Sequence, residues 1–249
     1  MLADHEALHL FLEIRDETAH QVSFSAYALE ARKLLWQNQR FEEDWWIGMT
    51  AADQDALILH TFEDTENPEK KAFFAVRSSS GEVMWKSGRL KVMDVYQQHI
   101  YGFEREEDET LYKGISIETN QEKSLSLDEV AQALKEVSGE NKYIRHPFHY
   151  TEEEAYFKTV SQFIQQYLNQ SPLRACEYLE HHKSIFISYY IEEGKALANY
   201  LLVVDEEGEL QLHEKLDDQL SQPGLGTFMI IRDQLVFIKR KRELLSYAI

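Results

Sequence analysis

The sequence predicts a mainly β fold of antiparallel, propeller-like repeats, about five blades, with a two-helix insertion over residues 126–172. Three observations lead there. Apolar residues alternate at period two through most of the chain. A strand–turn–strand unit recurs at roughly 40 to 50 residues, the spacing of four-stranded propeller blades. Only two stretches carry helix-start chemistry. The ring is either completed across the termini or left as an open arc, and a β-sandwich with helices on one side is the alternative. Residues 1–249 are read as a single domain.

The strands come first. Leu8-His-Leu-Phe-Leu-Glu-Ile14, Val22-Ser-Phe-Ser-Ala-Tyr27, Leu57-Ile-Leu-His-Thr-Phe62 and Phe73-Phe-Ala-Val76 alternate or run apolar over strand length. So do Ile185-Phe-Ile-Ser-Tyr-Tyr-Ile191, Phe228-Met-Ile-Ile231 and Leu235-Val-Phe-Ile238. Acidic and polar turns such as Asp16-Glu-Thr18 and Glu192-Glu-Gly194 separate them, as hairpins require. A strand from Trp45 to Thr50 precedes the Ala56–Phe62 strand as its hairpin partner. The first unit, ending at Trp36, is expected to lack its innermost strand, and the last, from Gly226, its outer one.

The helices break this rhythm. Thr151-Glu-Glu-Glu154 reads as a capping box, the Thr hydroxyl accepting from an amide three residues on while the Glu reaches back. Phe157, Val160, Ile164, Tyr167 and Leu168 then share one helical face, and Pro172 follows the end. Ser126-Leu-Asp-Glu129 repeats the capping signature ahead of Val130, Leu134 and Val137, with Gly139 as the stop.

Charge and cysteine content narrow the functional classes. There are 44 Asp and Glu against 26 Lys and Arg, a net charge of −18. Such a field repels phosphate backbones and anionic membrane surfaces, so neither nucleic acid nor membrane is an expected partner. The basic run Lys239-Arg-Lys-Arg242 reads as a solvated hairpin turn. One cysteine, Cys176, excludes an internal disulfide and a cysteine-cluster metal site, and it reads as a buried structural thiol. The N-terminus has neither the basic nor the apolar region of a signal peptide, and no run reaches membrane-span length, so a cytoplasmic location is expected.

The repeat is clearest from Ala75 to Trp85, with Gly81 at the turn. Ala26 to Trp36, Ile115 to Leu125 and Leu202 to Leu212 follow the same spacing in outline. Ala75-x-x-x-x-Ser80-Gly81-x-x-x-Trp85 resembles the blade motif of pyrroloquinoline-quinone-type propellers, with Arg77 in place of the motif's Asp and Ser80 in place of its Thr. That resemblance implies a Trp that docks neighbouring blades and does not imply quinone binding, so no cofactor is expected. As a whole, the chain resembles an uncharacterised bacterial domain-of-unknown-function family with propeller-like repeats. The likeness rests on Lys33-Leu-Leu-Trp36, Asp44-Trp45-Trp46-Ile-Gly48, and Leu57-Ile-Leu-His60 with Asp64 and Pro68. It extends to Ser80–Trp85, Thr227–Ile231 and Leu235–Lys239, and it implies no assigned activity.

Candidate ligand-binding residues are Asp44, Trp45, Trp46, His60 and Asp64. Neighbouring Trp rings point to opposite faces of a strand, so one can pack inward while the other, near Asp44, offers a stacking platform for a sugar or ring. His60, four residues before Asp64, could pair with that carboxylate as a general base. The His146-Pro-Phe-His149 and His181-His182 groups read as structural or solvated, and no metal site is assigned. No Gly-x-Ser-x-Gly elbow, phosphate loop or His-Glu-x-x-His pair occurs, and no catalytic residue is assigned. The functional expectation is therefore a non-catalytic protein-binding or scaffolding module with a basic protein or peptide as partner. A small-ligand (carbohydrate) receptor or hydrolase using a central pocket is the alternative.

Overall fold

The computed structural model describes the chain apart from residues 5, 7, 65, 68–69, 107–108 and 139–142 and the side chains of residues 136–138. Gly139, Pro68 and the Val137 side chain, which figured in the expectations above, lie outside the described residues. Chain contacts divide the protein into two compact units, residues 1–143 and 144–249.

The first unit holds three antiparallel sheets in chain order. Strands β1 (Leu2–Ala3), β2 (His9–Asp16), β3 (Gln21–Ala28) and β4 (Lys33–Gln39) form the first. Strands β5 (Ile47–Ala52), β6 (Ala56–Phe62), β7 (Lys71–Arg77) and β8 (Val83–Ser87) form the second. The third is β9 (Lys91–Tyr96), β10 (His99–Glu106), β11 (Glu109–Ser116) and β12 (Glu122–Leu125), followed by helix α1 (Leu127–Ser138). Each sheet is a simple meander, because short turns let every strand pair with its sequence neighbour. Apolar side chains on both sides of the second sheet are buried. Leu57, Leu59, Phe74 and Val76 join Phe11 and Phe24 of the first sheet. Ile58, Phe73 and Ala75 join Val95, Ile100 and Ile115 of the third. This explains why the Leu57–Leu59 run is continuously apolar: a strand covered on both faces has no polar side.

The two tryptophans of the repeat stand in equivalent registers. Ala26 pairs with Trp36 and Ala75 with Trp85, and in both hairpins the register shifts immediately beyond the alanine. Trp36 packs against the core between the first and second sheets, Trp85 against that between the second and third. The other two units keep the hairpin but not the register, since Leu125 faces Tyr112 and Leu212 faces Val203.

The second unit contains β13 (Ile144–Arg145), β14 (Phe148–Thr151), α2 (Ala155–Leu168), β15 (Ala175–His181), β16 (Ser184–Glu193), β17 (Ala196–Asp205), β18 (Leu210–Leu220), β19 (Phe228–Ile231), β20 (Gln234–Lys239) and β21 (Glu243–Ala248). Strands β14 to β18 make a five-stranded meander, and the last sheet runs β13-β19-β20-β21. Phe186, Leu201 and Leu216 of the former pack with Phe228, Leu235 and Phe237 of the latter. On the opposite face, Phe157, Val160 and Ile164 of α2 cover Ile187, Tyr189 and Leu202.

Several expectations change here. The first sheet does have an opening strand, the two-residue β1, too short to show any alternation. The final sheet has its last strand, β21, beyond a turn in which Arg240 and Lys241 both take left-handed φ. The strand it lacks locally is at the β19 edge, and β13 supplies it from before the five-stranded sheet. Residues 126–172 thus carry two edge strands as well as both helices. At α1 the capping box forms as expected: Glu129 N–H donates to Ser126 Oγ at 3.2 Å and Ser126 N–H to the Glu129 carboxylate at 2.8 Å. At α2 it does not. Thr151 still belongs to β14, Glu154 is the N-cap, and its carboxylate accepts from the Thr151 N–H at 2.7 Å across a turn. The same two residues bond, but as a strand-to-helix turn rather than a cap. Among the described residues no helix is long and apolar enough to cross a membrane.

Candidate functional site

The sequence-marked residues gather where the first and second sheets of the N-terminal unit meet. Trp45 and Trp46 do not lie on a strand, contrary to expectation; they occupy a bend before β5. Glu43 makes the bend, since one carboxylate oxygen accepts the amides of both Trp45 (3.0 Å) and Trp46 (2.8 Å). The two rings separate for that reason, not through strand alternation.

Trp45 is held in place. Its ring stacks on His20 at 4.1 Å between centroids, and the Arg15 guanidinium lies 5.3 Å from the ring centre. Arg15, on β2, also donates to the carbonyls of Trp45 (3.0 Å) and Ile47 (2.6 Å), and its Nε donates to Glu13 (2.7 Å). Trp46 remains 46% exposed, edge-on to Phe62 at 6.4 Å. Asp44 is exposed, and its carbonyl accepts from Val22 N–H at 2.6 Å.

His60 is half-buried on β6. Its Nδ1 lies 2.8 Å from the Thr50 hydroxyl, and Phe62 and Phe73 flank its ring. Burial lowers its pKa to about 4; Lys71 adds to the effect and Glu13 opposes it. The backbone of Gly48 makes room for this ring: a β-carbon there would come 3.0 Å from His60 Cε1. Asp64 is not the partner of His60. It sits in the β6–β7 turn, accepting from Glu66 N–H at 3.0 Å and pairing with Lys70 at 3.3 Å. Those bonds hold its carboxyl below the usual range. A turn aspartate that caps its own loop is satisfied locally, so the expected His–carboxylate dyad is not assembled. With its pKa lowered to about 4, this imidazole is too weakly basic to fit a general base working near pH 7.

Beside this cluster runs an open groove of about 790 Å³. Phe41, Phe62, Phe73 and Phe74 give it aromatic walls, and its rim is of mixed charge, Glu42, Glu43 and Glu63 standing beside Arg40 and Lys86, with Lys86 paired to Glu42 at 3.1 Å. Trp46 flanks it through Phe62, whose N–H donates to the Trp46 carbonyl at 2.9 Å. The groove's walls come from the β4–β5 connection and the ends of β6, β7 and β8. Sequence reasoning picked out Trp46 but missed Glu43, Glu13 and Arg15, which position the tryptophans. Glu13 and Arg15 lie on the face of β2 turned to the second sheet, about thirty residues away in the chain, and no local pattern links them to the bend.

Cys176 and Glu177 are structural. Cys176 is buried beneath α2 and its thiol is pushed up to about 12 by that burial, far from a nucleophile's range. Glu177, buried on β15, accepts from the Gly226 amide (2.5 Å), the Thr227 amide (2.9 Å) and the Thr227 hydroxyl (2.6 Å). His146 precedes β14 and His149 lies within it, so that segment links the last sheet, through β13, to the five-stranded one.

Comparison with known proteins agrees with the sequence resemblance in kind. The model of a family described as a domain of unknown function (DUF4905) matches residues 3–85, which span the first two sheets and the bend between them. No curated protein matches the chain. Among solved structures, an uncharacterised protein from Listeria monocytogenes EGD-e aligns over 100% of this chain and 93% of its own, at 7% identity and a TM-score of 0.38. BamB from Moraxella catarrhalis aligns over 97% and 90%, at 7% identity and a TM-score of 0.27. The β-propeller domain of the trilobed protease from Pyrococcus furiosus aligns over 98% and 79%, at 12% identity and a TM-score of 0.32. The chain is a mainly β protein of propeller-like repeats, similar over its first third to a family of unknown function.

Proposed function

We propose that this chain is a non-catalytic protein-binding module that receives a basic, aromatic-bearing segment of a partner along the groove beside Trp46. The carrying observation is the half-exposed indole of Trp46, set by Glu43 at the side of an aromatic groove whose rim holds three glutamates against Arg40 and Lys86. Tryptophan in such a setting is the residue type that most often dominates binding energy at interfaces. The net charge of −18 would speed encounter with a cationic partner and disfavour acidic ones. Against a hydrolase stands the chemistry of His60, whose burial makes it a weak base near pH 7.

The test is a fluorescence-anisotropy titration with two labelled peptide pools of equal aromatic content, one Lys/Arg-rich and one Asp/Glu-rich. A parallel glycan array and a panel of chromogenic ester and glycoside substrates complete it. Saturable binding of the basic pool that Trp46→Ala weakens, with the acidic pool silent, supports the module. A glycan hit lost in the same variant replaces the partner with a carbohydrate, and turnover lost in His60→Gln replaces the module with a hydrolase. Either result, or equal binding of both pools, overturns the proposal.

A further inference from the structure

In the C-terminal unit, the β15–β16 turn and the β19–β20 turn bring together three side chains that can ligate a metal. His181 ends β15, His182 holds the left-handed turn position (φ 51°), and Asp233 follows Arg232, the left-handed residue (φ 55°) of the other turn. One donor atom from each of His181, His182 and Asp233 lies within 4.8 Å of the other two. The two imidazoles stand 3.9 Å apart between centroids, and His182 Nε2 is 3.2 Å from the Asp233 carboxylate.

His181 adds a second, independent observation. Its Nε2 is shielded from solvent and has no hydrogen-bond partner. Native structures seldom leave a shielded polar atom unsatisfied without a reason such as an absent ion or water.

We propose that His181, His182 and Asp233 form a site for a divalent transition-metal cation of the zinc type, with water completing the coordination. Two imidazoles and a carboxylate are a donor set that zinc accepts and that magnesium, which prefers all-oxygen surroundings, does not. Metal–ligand bonds of ~2.0–2.2 Å place tetrahedral donors roughly 3.4 Å apart; the His182–Asp233 pair already meets this, and the His181 donor, within 4.8 Å of both, must close by up to about 1.4 Å. His182 and Asp233 can supply that movement, because their side chains are 63% and 75% exposed and held mainly by each other. Such an ion would clip the β15–β16 hairpin of the five-stranded sheet to the β19–β20 hairpin of the last one. It would bind the folded state alone, and binding would raise thermal stability.

The experiment treats the full chain with EDTA, removes the chelator, and titrates zinc chloride and, separately, magnesium chloride by calorimetry and thermal melting. The expected result is one equivalent of zinc bound in the micromolar range, a zinc-dependent rise in Tm, and no comparable response to magnesium. Asp233→Asn and His182→Ala, both at exposed positions, should each weaken zinc binding at least tenfold while leaving the metal-free Tm within about 2 °C. His181→Ala should abolish the stoichiometric event; if it unfolds, the other two variants decide. Zinc affinity unchanged in Asp233→Asn and His182→Ala, no stoichiometric event, or an equal response to magnesium overturns the site.

Discussion

The indole of Trp36 lies against the backbone of Gly81: a β-carbon on that glycine would meet the ring at 3.2 Å, and the ring Nε1 donates to the Ser78 carbonyl at 2.8 Å. Trp36 ends the first hairpin repeat and Gly81 is the turn of the second. The contact is therefore how one repeat docks on the next, as the propeller-blade resemblance implied. Gly81 is required twice over, for closeness and for its φ of +73°. Gly81→Ala should cost about 1–3 kcal/mol, since a side chain would both strain the backbone and push the indole out. Trp36→Phe, which keeps most of the packing and loses the donor, should cost about 1 kcal/mol. Urea unfolding of the two variants checks both values, and a Gly81→Ala midpoint equal to that of the parent would refute the docking role.

His60 makes stability depend on pH. Its folded pKa, about 4, lies below the ordinary 6.5, so between those values the unfolded chain binds more protons than the folded one. Stability from this residue is fully present above pH 6.5 and lost as pH falls toward 4. The ring is only about half-buried, and solvent screening reduces the effect to about 1–2 kcal/mol. His60→Gln should flatten that part of the profile, measured as urea midpoints at pH 7 and pH 4.5. An NMR titration placing the His60 pKa near 6.5 would contradict the assignment.

Glu177 is a buried carboxylate that holds the loop before β19. Glu177→Ala would leave the Gly226 and Thr227 donors without their acceptor, and should destabilise by roughly 2–4 kcal/mol. Hydrogen exchange at the Thr227 amide should rise more than at amides in the first three sheets. Uniform loosening across both units would show that the loop is not a local unit of stability.

Trp46 separates binding from folding. Because its ring is half-exposed, Trp46→Ala should shift stability by no more than about 1 kcal/mol. The same change should weaken the basic peptide pool by roughly 5- to 30-fold, the range of an interface hot spot. Trp45→Ala should do the reverse, since that ring is locked between His20 and Arg15. Paired melting and anisotropy curves distinguish the two tryptophans, and equal effects of both substitutions would count against the groove as the binding surface.

The legible part of this protein was the local part. Alternation placed β2, β3, β6, β7, β16, β19 and β20, because a strand with a buried face must repeat at two residues wherever it lies. The Ser126 capping box and the apolar face from Phe157 to Ile164 identified both helices for the same kind of reason. The candidate site was legible by composition only: Trp46 stands at a groove, whereas His60 and Asp64 found separate partners in Thr50 and Lys70.

Residue order alone thus determined where most strands lie, that two helices interrupt them, and where the first of those helices begins. Tertiary structure decided the rest: that β13 completes a sheet whose other strands begin more than eighty residues later, that Glu43 parts the two tryptophans, and that Asp233 meets His181 and His182. Side-chain periodicity reports whether a segment has an inside, a property of neighbours along the chain. A two-residue edge strand or a turn carboxylate is chosen by backbone hydrogen bonds and by proximity across the fold, which leave no periodic trace in the sequence.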